Sequence, residues 1–240
     1  MDRKDSGREL IEKLNTMPAF QCKIVEQKKP SALNLTRSEQ LLYYGFFVLL
    51  VQCAIGYFLF EKKNIETPTL FNAFTILTVL AILFSSFLRL TEHQNFNAEY
   101  IGDFRIEDNH FHCAGREFSF ASIQNLKTDS SDFYGKETGN RRIGPRYSNG
   151  ISNFIHFDSA GKSFTFQLEI LKEQAIYDFE WALINCICSE RIPYQYSNFD
   201  CIAEANLDMP TVRNFIFKLV HEQRLDASDR LVIRGYSNEV

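Results

Sequence analysis

The sequence predicts an α+β membrane protein, in which a hairpin of two transmembrane helices precedes a cytosolic domain of antiparallel β-strands and an amphipathic helix. Two observations carry this fold class. The segments 41–60 and 67–88 hold no charged side chain, although 23% of the 240 residues are charged. From residue 98 onward, apolar residues alternate over short stretches separated by turn residues, a pattern typical of antiparallel strands.

Composition and charge exclude several other classes of protein. The chain has 26 basic and 30 acidic residues and a net charge of -4, which argues against sequence-specific binding of nucleic acids. Its 45% content of hydrophobic residues excludes a disordered chain. Six scattered cysteines, in a domain expected to face a reducing cytoplasm, are predicted to be free thiols.

A cytosolic segment, residues 1–40, precedes the first apolar stretch, and its residues 6–14 fit a short amphipathic helix. The stretch 41–60 would extend as a helix over about 30 Å, the thickness of the hydrocarbon layer of a bilayer. Thr36 and Glu39 have the spacing of a capping box. This spacing predicts that the first transmembrane helix begins a few residues before the bilayer.

The second apolar stretch, residues 67–88, is predicted to form the second transmembrane helix. Thr67 fits the N-cap and Pro68 the first helical position, where the missing N–H of proline costs nothing. The loop 61–66 leaves room only for a tight turn between the helices. A helical hairpin buried in a soluble protein would need more apolar surface to cover it than the rest of the chain provides.

Basic residues beside the two helices predict their orientation. The flanks nearer the termini hold six lysines or arginines and the connecting loop holds two. Because cytoplasmic flanks carry the excess of basic residues, both termini are predicted to lie in the cytoplasm. The flank residues are Lys23, Lys28, Lys29, Arg37, Arg89 and Arg105, and the loop residues are Lys62 and Lys63.

Each predicted helix has one distinctive face. On the first helix Gly45, Gln52 and Gly56 share one side, and small residues beside a single amide allow helices to approach closely in lipid. The second helix carries a polar stripe, which consists of Asn72, Thr75, Thr78, Ser85 and Ser86.

Two interpretations of the polar stripe stay open. The stripe packs against the first helix of the same chain, or several copies form a homo-oligomer in which the stripe lines a pore. One hairpin encloses no water, so the second interpretation requires an oligomer. Both apolar stretches lack Asp, Glu, Lys, Arg and His, which argues against a proton relay or a coupled transporter.

The β domain is predicted over residues 98–190 and an extension over residues 191–240. A helix over residues 172–188 has an apolar stripe. The extension contains a helix predicted from residue 208 to 224. The predicted strands are 103–107, 110–114, 117–123, 124–129, 151–157, 162–169 and 230–236, and a loop spans residues 134–150.

Residues 98–189 resemble the pleckstrin-homology-like domains that follow a transmembrane hairpin in bacterial proteins. The segments that carry the resemblance are FRIEDNHFHCAG, EFSFASIQNLK and FIHFDSAGKSFTFQL, followed by the helix. The resemblance implies seven strands in a bent sheet that forms a partly open barrel, with the helix plugging one end. It also implies binding of a ligand, a lipid or a protein rather than catalysis.

The loop 134–150 is the candidate ligand site. It holds Lys136, Arg141, Arg142 and Arg146 against Glu137, in a chain that is acidic overall. Because arginine forks match phosphate oxygens, these four residues are predicted to bind an anionic group, either a small molecule such as a nucleotide or a lipid head group. The alternative is a solvated loop without a ligand.

The sequence contains no motif for a catalytic nucleophile, a pair of catalytic carboxylates, a cofactor or a metal, so we expect a protein that is not an enzyme. Two functions remain. In the first, a sensor-effector, the β domain binds an anionic ligand or a partner and controls the assembly of the helices. This layout is similar to membrane effectors of bacterial anti-phage signalling, whose helices permeabilise the inner membrane. The resemblance implies that the helices lie in a bacterial inner (plasma) membrane. In the second, a passive membrane-anchored adaptor, the β domain holds partners near the bilayer.

Overall fold

The computed structural model describes residues 20–29, 34–139, 144–195, 198, 201–202, 206–207 and 209–225. Its helices are α1 Arg37–Ile55, α2 Thr69–Arg89, α3 Glu173–Cys188 and α4 Pro210–His221. Its strands are β1 Gln21–Gln27, β2 Ala98–Ile106, β3 His110–Cys113, β4 Arg116–Ser119, β5 Ile123–Asp129, β6 Tyr134–Glu137, β7 Tyr147–Asn149, β8 Asn153–Ser159 and β9 Lys162–Glu169.

Two of these helices, α1 and α2, are long and apolar enough to span a membrane. α1 continues into a π-helical turn over Gly56–Glu61, so that the first apolar helix has 25 residues. Only 11% of the apolar window of each helix is buried, whereas a core helix of a soluble protein would be mostly buried. We call residues 37–89, which comprise both helices and the turn between them, the apolar hairpin.

The N-termini of the two apolar helices differ from each other. At the start of α1 the predicted capping box is confirmed, because Thr36 N–H donates to Glu39 Oε2 over 2.8 Å and the Thr36 hydroxyl accepts from the Glu39 N–H. α2 begins at Thr69 with Pro68 as its N-cap, one residue later than predicted. The Thr67 hydroxyl accepts from the Asn72 amide over 3.3 Å.

Seven strands form one antiparallel sheet in the order β4-β3-β2-β1-β9-β8-β5. β1 lies at its centre, between β2 and β9, and Ile24 and Val25 are at most 2% exposed. From the sequence alone this segment is predicted to lie outside the β domain, within residues 1–40. The two buried residues are adjacent because the register with β2 shifts between them, and this shift interrupts the alternation expected of a strand.

The apolar hairpin is inserted between two neighbouring strands of this sheet. β1 precedes the hairpin, β2 follows it, and the two strands pair with each other from Gln21 to Gln27. The Lys28 N–H also donates to the Asn97 carbonyl over 2.9 Å. The chain therefore enters and leaves the apolar hairpin at the same end of two paired strands, β1 and β2.

The core of the domain lies between the sheet and the two remaining helices. Phe179 of α3 is fully buried, and its ring centroid is 5.0 Å from that of Phe20 and 6.0 Å from that of Phe104. α4 buries Phe215 and Leu219 in the same core. The amphipathic helix predicted at residues 6–14 and the strand predicted at 230–236 lie outside the described residues.

Candidate functional site

The residues predicted to pack the first helix contact the second helix of the same chain. Gln52 is 5% exposed, and its Nε2 donates to Thr78 Oγ1 over 3.1 Å. A Cβ atom added at Gly45 would lie 2.7 Å from Cγ1 of Ile82, so glycine allows the helices to approach here. At Gly56 the nearest atom, Cε1 of Phe71, would be 3.6 Å away, an ordinary contact. Gly45 is therefore sterically required and Gly56 is not.

The predicted polar stripe of α2 divides into three parts. Thr78 and Ser85 are buried, and their hydroxyls donate to the carbonyls of Phe74 and Ile82 within α2. Thr75 is partly buried and donates to a carbonyl in the same way, whereas Asn72 and Ser86 are exposed. Thr78 and Ser85 are thus placed between the helices, and only Asn72 and Ser86 face outward as a pore lining would require.

One polar atom between the apolar helices has no partner. Gln52 Oε1 is buried without a hydrogen bond among the described residues. Gln52, Gly56 and Thr75 line an open groove of about 500 Å³ near the π-helical turn. A buried amide oxygen without a hydrogen bond costs free energy, because it has lost its contact with water. Gln52 therefore contributes less to helix association than a fully paired glutamine would.

The segments at the two ends of the apolar hairpin, residues 34–38 and 90–95, are hydrogen-bonded to each other, and we call them the foot of the hairpin. Glu92, just after α2, accepts from the backbone N–H and the hydroxyl of Ser38 in the first turn of α1. Asn95 donates its side-chain amide to Asn34 Oδ1 over 3.2 Å. These bonds fix the two ends of the hairpin relative to each other.

The same foot is bonded to the hairpin of β6 and β7, which forms within the predicted loop 134–150. The Tyr147 N–H donates to the Glu92 carbonyl over 3.1 Å, and the Gln94 N–H donates to the Tyr147 carbonyl over 2.8 Å. The His93 ring stacks on Tyr134, with centroids 4.3 Å apart and planes 9° apart. A displacement of β6 and β7 therefore acts directly on the segment that leaves α2.

A buried polar network anchors β6 and β7 to the main sheet. The Asp132 carboxylate is 8% exposed and accepts from the Ser148 hydroxyl over 2.7 Å and from the Ser152 N–H over 3.0 Å. Gly150 has φ +75°, and a Cβ there would lie 2.4 Å from the Ile170 carbonyl oxygen. Glycine is required at this close approach.

The structure describes two of the four basic residues predicted to bind an anion. Arg146 Nη2 lies 2.7 Å from Glu137 Oε1, and this hydrogen bond raises the pKa of the Arg146 guanidinium further above neutrality. Lys136 Nζ donates to the Ser131 carbonyl. Arg141 and Arg142 lie outside the described residues. Within the described residues, the predicted cluster therefore consists of Arg146, which is paired with Glu137, and of Lys136.

A cavity of about 420 Å³ separates this pair from the end of α2. Arg89 lines it from the last turn of the helix, and Arg146 and Glu137 line it from the β6–β7 side. In the sequence, Arg89 serves only as one of the flanking basic residues that predict the orientation of the helices. The signal that could have marked it is a basic residue at the end of an apolar helix. The remaining lining residues are Ser86, Leu90, Thr138 and Gly139.

Two observations in the described part of the chain concern metal and thiol chemistry. No group of three or more His, Cys, Asp or Glu residues there is arranged to hold a metal ion. All six cysteines are free, and burial raises the pKa of the Cys113 thiol to about 12, which leaves it protonated at neutral pH.

Comparison with known proteins identifies no relatives. No family model, no curated protein and no solved structure matches the chain.

Proposed function

We propose that the chain is a non-enzymatic membrane sensor-effector of a bacterial inner membrane. In this proposal the apolar hairpin crosses the bilayer twice, and the β domain lies in the cytoplasm and binds an anionic ligand. The exposed apolar surface of α1 and α2 supports the crossing, because such surface is favourable in lipid and costly in water. The basic flanks of the hairpin support the cytoplasmic orientation.

We further propose a pleckstrin-homology-like fold for the β domain. The resemblance implies seven strands and a closing helix. The main sheet has seven antiparallel strands, and α3, which follows the last of them, packs Phe179 against Phe20 and Phe104. These features support the resemblance, and β1 is the strand that the sequence analysis lacked.

The observation that carries the sensor-effector proposal is the insertion of the apolar hairpin between β1 and β2. A passive anchor needs only a flexible linker between membrane and domain. Here Ser38 is bonded to Glu92, and Glu92 and Gln94 are bonded in turn to Tyr147. A ligand that moves β6 and β7 would therefore change the angle or spacing of α1 and α2. Such a change would control their assembly with other copies into a pore or a membrane-perturbing complex, as in anti-phage effectors.

The adaptor remains a second candidate because of one specific observation. Thr78 and Ser85 are buried within a single hairpin and hydrogen-bonded there. A hairpin that satisfies these groups internally has less need of other copies. In this candidate function the β domain would hold a protein partner at the membrane, and the helices would only anchor it.

Measuring the mass of the full-length protein separates the two functions. We would solubilise it in mild detergent and determine the particle mass without ligand, with a panel of nucleotide second messengers, and with anionic lipid. A change from monomer to oligomer on addition of either ligand class, together with dye release from liposomes, supports the sensor-effector. A monomer under every condition removes it and leaves the adaptor.

A further inference from the structure

We infer that the β domain lies against the lipid bilayer through three exposed aromatic residues beside the foot of the hairpin. Phe96, Tyr100 and Tyr134, which we call the aromatic patch, are 40%, 56% and 50% exposed. Their partner would be the head-group layer of the surrounding bilayer. This inference rests on the proposed membrane insertion, and it adds a second contact with the membrane outside the two apolar helices.

The three residues of the aromatic patch are neighbours on the surface of the β domain. The ring centroids of Phe96 and Tyr100 are 5.4 Å apart. The Tyr100 hydroxyl donates to Glu169 Oε1 over 2.8 Å. The Tyr134 N–H donates to the carbonyl of the next residue, Ile170, over 2.9 Å. Tyr100 and Tyr134 therefore contact adjacent residues at the end of β9, and Phe96 lies beside Tyr100.

The length of α2 and the turn after it place the aromatic patch close to the proposed membrane. α2 has 21 residues, and at 1.5 Å per residue it extends over about 32 Å. This length matches the hydrocarbon layer, so the last helical residue, Arg89, lies near the boundary of that layer.

The chain does not extend far beyond this boundary before it reaches the patch. The Glu92 N–H donates to the Arg89 carbonyl, three residues earlier, so the helix continues as a tight turn. At about 2 Å per residue of such a turn, His93 lies about 8 Å beyond Arg89. The His93 ring stacks on Tyr134 with centroids 4.3 Å apart. Because the head-group layer is about 5–8 Å thick, Tyr134 lies at its level.

The chemistry of the aromatic patch suits the head-group layer. Tyrosine and other aromatic rings are favourable there, because the apolar ring meets the upper acyl chains and a polar tip stays hydrated. The Tyr100 hydroxyl already has Glu169 as its acceptor, so the exposed ring enters the layer without losing a hydrogen bond. Leu90, the first residue after α2, is 49% exposed and extends the apolar surface of the helix toward the patch. We therefore expect the β domain to lie on the bilayer rather than to project away from it.

The test uses the full-length protein in phosphatidylcholine liposomes, with single tryptophans as reporters. Trp181 is the only tryptophan of the sequence, and Trp181→Phe removes it. Phe96→Trp and Tyr134→Trp, each added to this background, then report on the aromatic patch. Phosphatidylcholine that is brominated in the upper part of its acyl chains quenches tryptophans that touch lipid, and iodide quenches those that face water. We expect both reporters to lose fluorescence in brominated lipid and to be protected from iodide.

The matched control is Phe217→Trp in the same background, because Phe217 is an aromatic residue of α4 with a similar exposure of 45%. Its neighbour Lys218 is paired with Glu190 at the end of α3. Arg191, the next residue, donates to the Asp108 carbonyl beyond the end of β2. β2 has nine residues and leads about 30 Å away from the foot. We expect iodide, and not brominated lipid, to quench this reporter.

A fourth reporter, Leu80→Trp, separates this inference from the proposed function. Leu80 is 58% exposed in the middle of α2, so brominated lipid should quench a tryptophan there if the hairpin is inserted. Quenching of this reporter without quenching at positions 96 and 134 overturns the inference and leaves the proposed function standing. Absence of quenching at position 80 refutes the membrane insertion itself.

Two other outcomes also overturn the inference. If the reporters at positions 96 and 134 are protected from both quenchers, a protein surface covers the aromatic patch, such as a second copy of the chain. If brominated lipid quenches the reporter at position 217 as strongly as those of the patch, the contact with lipid is not specific to the patch.

Discussion

Gln52 of α1 donates a hydrogen bond to Thr78 of α2 in the middle of the apolar hairpin, with 3.1 Å between Nε2 and Oγ1. Thr78 in turn donates to the Phe74 carbonyl of its own helix over 3.0 Å. Among the described residues, this is the side-chain hydrogen bond that joins α1 to α2. It connects Gln52, which the sequence predicts to pack helices, with Thr78, for which the sequence leaves both helix packing and pore lining open.

We expect Thr78→Val to destabilise the association of the two helices by about 1 kcal/mol, because the Gln52 amide loses its acceptor in a lipid environment. Adding Gln52→Leu to this variant should recover most of the loss, since both polar groups are then gone. The matched control is Thr75→Val, whose hydroxyl donates only to its own helix. Reversible unfolding of the full-length protein in lipid bicelles would measure the differences. Equal effects of the two threonine variants would show that the Gln52 contact contributes nothing.

The two glycines of α1 should respond differently to alanine. Gly45→Ala places a methyl group 2.7 Å from Ile82 Cγ1 and should cost about 1–3 kcal/mol by overpacking. Gly56→Ala meets Phe71 at an ordinary contact distance of 3.6 Å and should be nearly neutral. Adding Ile82→Ala to Gly45→Ala removes the overlapping atom and should recover part of the loss. The same bicelle assay applies, and equal costs at both glycines would contradict the packing described here.

Gly150→Ala should release the β6–β7 hairpin from the main sheet. The added methyl group would overlap the Ile170 carbonyl oxygen at 2.4 Å and the Tyr134 nitrogen at 2.5 Å, in a backbone conformation with φ +75°. Gly139 has a similar φ, +72°, but no atom of the described residues lies within 4 Å of its added Cβ. Gly139→Ala should therefore cost only the backbone strain, about 1 kcal/mol, and Gly150→Ala clearly more. Amide hydrogen exchange at Tyr134 and Ile170 reports the difference, and matching exchange rates in the two variants would contradict it.

Removing the apolar hairpin should produce a soluble β domain, provided that β1 is kept. The Lys28 N–H donates to the Asn97 carbonyl, so an Asn-Gly turn can join residues 1–28 to residues 97–240. The control is the chain 98–240, which lacks the central strand and loses the burial of Ile24 and Val25, each worth about 1.5–3 kcal/mol. We expect cooperative urea unfolding for the joined chain only. An equally stable control would show that β1 is dispensable.

The proposed orientation predicts which cysteines a membrane-impermeant maleimide reaches in intact cells. Lys63→Cys, in the turn between the helices, should react, and Lys162→Cys, in the β domain, should react only after the membrane is permeabilised. The unmodified protein supplies the background of native thiols. If Lys162→Cys alone is labelled in intact cells, the β domain lies outside the cytoplasm. The predicted orientation and the proposed cytoplasmic sensor would then both be wrong.

The helices and most strands could be predicted from the sequence because their signals are local. The capping box at Thr36 and Glu39 marks the start of α1, and β9 spans residues 162–169 as predicted, since its alternation and its turn are continuous. The predicted strand 117–123 is divided by a 3₁₀ turn, Phe120–Ser122, in which Phe120 turns into the core. Such a turn leaves the apolar pattern almost unchanged, and the pattern alone therefore does not reveal it.

The parts that the sequence did not predict depend on distant pairings. β1 pairs with β2, which follows the apolar hairpin in the chain, and with β9, which is more than 130 residues away. Its alternation of buried and exposed residues is interrupted between Ile24 and Val25. β6 and β7 have four and three residues, too few to show alternation. Arg89 joins the candidate site only because the segment after α2 bonds to Tyr147. None of these relationships can be read from neighbouring residues.

The central place of β1 also sets the order in which the molecule can be made. The ribosome releases β1 first, and its partners β2 and β9 follow only after both apolar helices have been synthesised. If only one of the two helices crossed the bilayer, β1 and β2 would lie on opposite sides of it. The two strands could then not pair, and the sheet would lack its central strand. The complete sheet therefore requires that the chain between β1 and β2 crosses the bilayer an even number of times. If the apolar hairpin crosses the membrane as proposed, insertion of both helices is therefore a condition for completing the β domain around β1.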